Sequence, residues 1–109
     1  MPQYVYLLDL VDDPEKIAQY EAWHSKVWPE VLENLQARGI RKCQIFRAGN
    51  RLAMLLESDA PTSSDGRGSD VPQRVTEWEE LMSQFQQPLP FAQPGEKWVL
   101  ANRIFDWKC

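Results

Sequence analysis

Tyr20 and His24 lie four residues apart in the run Tyr20-Glu21-Ala22-Trp23-His24-Ser25-Lys26-Val27-Trp28-Pro29-Glu30, and on a helix that spacing stacks both side chains on one face. His24 is the single histidine in 109 residues. Imidazole has the ordinary pKa nearest neutrality, so it can give and take a proton without special tuning. Spacing alone does not select that role, because an inward-facing histidine also serves as a core residue with one satisfied hydrogen bond. Two features point toward chemistry. Pro29 removes a backbone donor and crowds the carbonyl of Ser25, at about 3 kcal/mol in a helix interior. The helix is therefore expected to break near Ser25-Lys26 and restart with Pro29 in a new first turn, which leaves room beside His24. The indoles of Trp28 and Trp78 can then converge on that room, and five Trp in so short a chain invite a search for a ligand site.

Other residues carry weaker signals. Trp78 taken alone reads as core, and Glu79 as a solvated helix carboxylate. Cys43, whose local pattern offers only Lys42 as a basic neighbour, reads as a small buried thiol. The chain has no Gly-rich phosphate loop, no nucleophile elbow and no paired-carboxylate spacing. One His and two distant cysteines, Cys43 and Cys109, argue against a metal site, and no cofactor is expected. In a reducing compartment both cysteines should be free thiols.

The elements that must position these residues follow from periodicity. Residues 3–10 (QYVYLLDL) are nearly continuous in apolar β-formers and predict a strand buried on both faces. Asp12-Asp13-Pro14-Glu15 then offers an acidic cap, a first-turn proline and a carboxylate near the positive helix end. Ile17, Tyr20, His24, Val27, Trp28, Val31 and Leu35 follow at helical spacing until Arg38-Gly39 closes the segment. Two strands, 41–47 and 51–57, flank the hairpin signal Gly49-Asn50. Residues 59–70 (DAPTSSDGRGSD) predict a polar, mobile loop. A second amphipathic helix is expected from Pro72 to Gln86, with Val75, Trp78, Met82 and Phe85 inward. A Pro-rich connection over 87–95 and a last strand over 98–106 complete the chain.

The order β-α-β-β-α-β is the ferredoxin-like arrangement, an α+β fold with an antiparallel sheet and both helices on one face. The first and third strands are apolar on both faces while helices cover only one, so a second copy of the sheet is expected to supply the other cover, in a homodimer. The length suits one domain over 1–109. The net charge of -4 at 43% hydrophobic and 26% charged residues is that of an ordinary globular protein without the basic surface that nucleic acid requires. No apolar stretch is long enough to span a bilayer, and the first residues lack the features of a signal peptide, so the expected location is cytoplasmic.

The run from Tyr20 to Val31 resembles the Tyr-x-x-x-His-x-x-x-Trp-Pro-Glu signature of the L-rhamnose mutarotase family. Gly39-Ile40 and Asn50-Arg51-Leu52 fit the same pattern. Glu77-Trp78-Glu79-Glu80-Leu81-Met82 with Phe85-Gln86, and Gly95-Glu96-Lys97-Trp98 leading into Arg103-Ile104-Phe105, look more like its L-fucose mutarotase branch. The resemblance covers the chain apart from 59–70. It implies a dimeric ferredoxin-like α/β barrel that exchanges the two anomers of a free 6-deoxyhexose without cofactor or metal. By the same resemblance His24 matches the proton donor, Tyr20 a substrate-binding tyrosine, and Trp78 the first of a Trp-Trp pair. Glu79 stands where the rhamnose enzymes carry the second Trp, and Cys43 where they carry a tyrosine. Both departures favour a differently hydroxylated sugar, L-fucose.

Mutarotation opens a hemiacetal ring and closes it on the other face of the aldehyde. Opening delivers a proton to the ring oxygen and removes one from the anomeric hydroxyl. His24 is expected to donate to the ring oxygen, at a gain of about 10²- to 10⁴-fold for one placed acid–base group. Tyr20 either binds a sugar hydroxyl or holds the imidazole in its reactive tautomer, and Trp78 faces the C–H side of the pyranose. Glu79 accepts from hydroxyls and discriminates epimers. No side chain is assigned as the base; water can serve. The rival readings are an L-rhamnose mutarotase, a small oxygenase of the same fold, and a non-catalytic dimeric sugar-binding module.

Overall fold

The computed structural model describes residues 3–58 and 72–108. The expected 59–70 loop and Cys109 lie outside the described residues. The first strand, β1 (Gln3–Leu10), leads to helix α1 (Pro14–His24), helix α2 (Pro29–Ala37) and strands β2 (Ile40–Ala48) and β3 (Arg51–Ser58). Helix α3 (Gln73–Ser83) and two short strands, β4 (Gln86–Gln87) and β5 (Val99–Ala101), complete the order.

Local chemistry explains the helix boundaries. Asp13 is the N-cap of α1, its carboxylate accepting from the backbone N–H of Glu15 at 2.9 Å and of Lys16 at 3.4 Å, with Pro14 in the first turn. The break falls where Pro29 requires it. Helix α1 ends at His24, and α2 begins at Pro29 with Trp28 extended at its N-cap (ψ 137). Gly39 closes α2 with φ 80, a left-handed conformation that a side chain disfavours. At the hairpin Ala48 pairs with Arg51, and Gly49 at φ 60 takes the first of the two loop positions, as a type II′ turn requires.

The sheet is antiparallel in the order β2-β3-β1-β4, with β5 also on β1. β4 pairs with Asp9 and Leu10, and β5 with Val5 to Leu7, so the two short strands share the same edge of β1 end to end. Paired residues share a face. Tyr6, Leu8, Leu10, Leu52 and Leu56 point to one side and form a single core with Tyr20, Val31, Trp78, Met82 and Phe85 from the helical segments. Both helical layers therefore lie on one face, as expected. The opposite face carries Val5, Leu7, Ala53, Leu55, Phe46, Val99 and Ala101, all half-buried or exposed, with Phe46 at 57%. Neither β1 nor β3 is buried on both faces within one chain, and the uncovered face is the one for which a second sheet was expected.

Two expected elements are corrected. The last strand is three residues long rather than 98–106. β5 runs antiparallel to β1 and ends at Ala101 opposite Val5, short of Tyr4 and Gln3. Residues 102–108 carry no regular structure, and Ile104, Phe105 and Trp107 are 95%, 79% and 70% exposed. The second helix ends at Ser83, not Gln86, because Gln86 and Gln87 leave it to pair with β1. Phe85 keeps its buried place through a turn in which its N–H donates to the carbonyl of Met82 at 2.9 Å.

Candidate active site

A cavity of about 370 Å³ opens between the helices and the sheet, within the size range of small-molecule sites. Tyr20 and His24 enter it from α1, Cys43 from β2, and Trp78 and Glu79 from α3. Five of the six residues singled out by sequence meet there. Helical spacing places Tyr20 over His24 and sets Trp78 inward from α3. Cys43 and Ile45, two apart on β2, pair with Leu56 and Met54 and so face the helices.

His24 is held from three directions. Its Nδ1 lies 2.9 Å from the backbone carbonyl of Tyr20, its ring is 4.5 Å from the Tyr20 ring, and Trp78 meets it edge-on at 5.5 Å. A carbonyl can only accept, so Nδ1 carries the proton and Nε2 is left for acid–base exchange. Tyr20 thus fixes the tautomer of its neighbour through its backbone, one helical turn back, and keeps its hydroxyl for another task.

The Tyr20 side chain is 3% exposed, and burial pushes its hydroxyl up to about 12; the hydrogen bond from Gln86 lowers it slightly, while Glu79 and Cys43 raise it further. At neutral pH it is a phenol, not a phenolate. Gln86 Nε2 donates to the Tyr20 oxygen at 3.4 Å, so the phenolic proton is directed elsewhere. Burial also pushes the Cys43 thiol up, with Arg38 offsetting part of the effect. Cys43 is exposed as a residue yet enclosed at its sulfur, and it presents the cavity with a neutral thiol.

Trp78 is 4% exposed and forms a wall rather than an open platform. Trp23, His24 and Trp28 approach it at 6.3, 5.5 and 5.2 Å, all near edge-to-face. Trp28 lies behind this wall and does not line the cavity. Its own ring carries the Arg74 guanidinium, 4.0 Å from its centroid. Ile45, Met54, Met82 and Trp98 belong to the apolar lining, with residues of α2. The alternation of β2 with Cys43 could have revealed Ile45. Trp98, Gln86 and Lys97 stand in stretches of family resemblance but had no role that spacing could assign, since each meets the cavity or its residues from a distant segment of the chain.

A second cleft, of about 500 Å³, also borders His24, together with Glu21 and Arg47. These two form an ion pair, and Arg47 also donates to the Gly49 carbonyl at 2.8 Å. It shares Tyr20, His24 and Ile45 with the first cavity but none of Cys43, Trp78 or Glu79. Among the described residues no three His, Cys, Asp or Glu side chains cluster as metal ligands would, and no helix is long and apolar enough to cross a membrane.

Comparison with known proteins identifies the family. The profile of the L-rhamnose mutarotase family matches residues 3–107. An L-fucose mutarotase of Xanthomonas campestris pv. campestris is 49% identical over 110 residues, which cover 96% of this chain and 87% of that one. A UPF0734 protein of Dictyostelium discoideum is 37% identical over 94% of this chain and 87% of its own length. Among solved structures, an L-rhamnose mutarotase from Formosa agariphila superposes with a TM-score of 0.71 at 16% identity, covering 99% of this chain and all of that one. The tetracenomycin F2 cyclase of Streptomyces glaucescens superposes with a TM-score of 0.59 at 21% identity, over 100% and 99% of the two chains. These two structures share the fold with this chain, although one acts on a sugar and the other is a polyketide cyclase. The profile match over almost the whole length and the 49% identity carry the assignment: this chain belongs to the L-rhamnose mutarotase family.

Proposed function

We propose that this chain is a cytoplasmic, homodimeric sugar mutarotase that exchanges the α and β anomers of L-fucose, with His24 as its acid–base residue. One observation carries the reading most of the way. The only histidine has its Nδ1 tied to a carbonyl and borders a cavity that also holds Tyr20, Trp78 and Glu79.

Protonated His24 delivers the Nε2 proton to the ring oxygen as the C1–O5 bond breaks. The anomeric hydroxyl loses its proton and C1 becomes an aldehyde. Rotation about C1–C2 presents the other face, and closure returns both protons. Nothing is consumed, so no cofactor enters. Tyr20, a phenol held from behind by Gln86, donates to a sugar oxygen. Trp78 and the apolar lining receive the C–H surface and the methyl group. Glu79 accepts from hydroxyls, and a sugar whose hydroxyls point elsewhere leaves it underpaired, at a cost of about 1 to 3 kcal/mol.

The choice of L-fucose rests on the 49% identical relative of that name and on Glu79 and Cys43, which replace the Trp and Tyr of the rhamnose enzymes. The homodimer rests on the uncovered apolar face of the sheet. Saturation-transfer proton NMR on L-fucose tests the reading directly. Protein at micromolar concentration should transfer saturation between the two anomeric signals, and His24→Ala should not. Tight fucose binding with no transfer would instead identify a binding module.

A further inference from the structure

Lys97, in the segment Gly95-Glu96-Lys97-Trp98, has no part in the chemistry above, yet it meets Glu79 at the edge of the cavity. Lys97 Nζ lies 3.6 Å from Glu79 Oε2 and donates to Ser83 Oγ at 3.1 Å. Ser83 in turn donates to the Glu79 backbone carbonyl at 2.8 Å. Lys97 and Glu79 side chains are 23% and 19% exposed, so the pair is shielded enough for its geometry to matter.

The backbone that launches Lys97 is anchored on both sides. Before it, the Gln93–Glu96 turn is closed twice: the Glu96 N–H donates to the Gln93 carbonyl, and the Gln93 N–H to the Glu96 carboxylate, both at 2.9 Å. After it, Trp98 is buried against the core and β5 pairs with β1. Lys97 does not itself line the cavity; Glu79 does. A glutamate free to choose among rotamers would spend part of its time turned from the ligand. A lysine held at one carboxylate oxygen, from outside the cavity, narrows the orientations in which the group can meet a sugar hydroxyl.

We propose that Lys97 is a positioning residue for specificity: with Ser83 as a second anchor, it holds the Glu79 carboxylate where that group accepts hydrogen bonds from the hydroxyls of L-fucose. This rests on the mutarotase reading and extends it to a residue outside the cavity.

The test compares wild type, Lys97→Met, Lys97→Arg, Glu79→Gln and the Lys97→Met/Glu79→Gln double variant by saturation-transfer NMR with L-fucose and L-rhamnose, alongside thermal midpoints. Lys97→Met should raise KM for L-fucose about tenfold while changing the maximal exchange rate much less, and should narrow the preference for L-fucose over L-rhamnose. Lys97→Arg should recover most of the loss. In the Glu79→Gln background Lys97→Met should add less than twofold, because Lys97 acts through that carboxylate. Should Lys97→Met not fold, Ser83→Ala, which removes the second anchor, gives the same reading with a rise of about threefold. A KM within twofold of wild type in Lys97→Met, whatever its thermal midpoint, or losses that multiply in the double variant, would overturn the inference alone. Absence of catalysed exchange in the wild type would overturn the mutarotase reading and this inference with it.

Discussion

His24 Nδ1 lies 2.9 Å from the backbone carbonyl of Tyr20, so the residue one turn earlier sets which imidazole nitrogen can exchange a proton. That relationship needs only a regular helix, and helix α1 ends at His24 itself. The ring proposed as the acid–base group therefore sits on the last residue of α1, at the border of the cavity.

Replacing His24 by Ala should lower catalysed anomer exchange by about 10²-fold or more and leave the fold intact. Circular dichroism and NMR line shapes check the fold; saturation transfer checks the rate. Exchange at the wild-type rate would remove His24 from the mechanism.

Tyr20 makes stability depend on alkaline pH. In the unfolded chain its phenol ionises near its ordinary value of 10, whereas the folded chain keeps the proton up to about 12. Between those values the unfolded state binds fewer protons, so stability falls as pH rises. The contribution is complete below pH 10 and lost by about pH 12, at most about 3 kcal/mol. Urea midpoints measured across this window should decline more steeply for wild type than for Tyr20→Phe. Equal slopes would show that Tyr20 ionises as easily in the folded chain.

Tyr20→Phe should also weaken L-fucose by about three- to tenfold at neutral pH without adding an alkaline limb to the rate profile, because the residue serves as a phenol there. An unchanged KM would place its hydroxyl away from the sugar.

Glu79→Trp should move preference toward L-rhamnose by about tenfold, since it replaces the proposed hydroxyl acceptor with the indole that the family resemblance implies at this place in the rhamnose enzymes. Relative exchange rates for the two sugars decide this. An unaltered ratio would mean that Glu79 does not set specificity.

Leu55→Glu tests the dimer. Leu55 faces away from the helices, paired with Val5 and Gln44, on the uncovered side of the sheet. A charge there should convert a dimer to monomers in sedimentation equilibrium, because burying an unpaired carboxylate in an apolar interface is costly. A wild-type chain that sediments as a monomer would remove the interface altogether.

Much of this protein was legible in its residues. Asp13 with Pro14, Pro29 and Gly39 are local signals: each acts on backbone torsions or hydrogen bonds within a few positions, so the two-part first helix and the place of His24 follow from sequence. Helical periodicity likewise revealed the helix faces that form the core, with Tyr20, Val31, Trp78 and Met82 inward. The tertiary structure alone decided how the edge of β1 is shared. Gln86 read as the end of a helix, Gln87 as part of the Pro-rich connection and residues 102–106 as strand, whereas Gln86 and Gln87 pair with Leu10 and Asp9 and β5 stops at Ala101. It also decided that Trp28 stands behind Trp78 rather than in the cavity, and that Lys97 meets Glu79 across 18 positions of chain. Contacts of that kind depend on chain closure and packing in three dimensions, and no pattern within one segment encodes them.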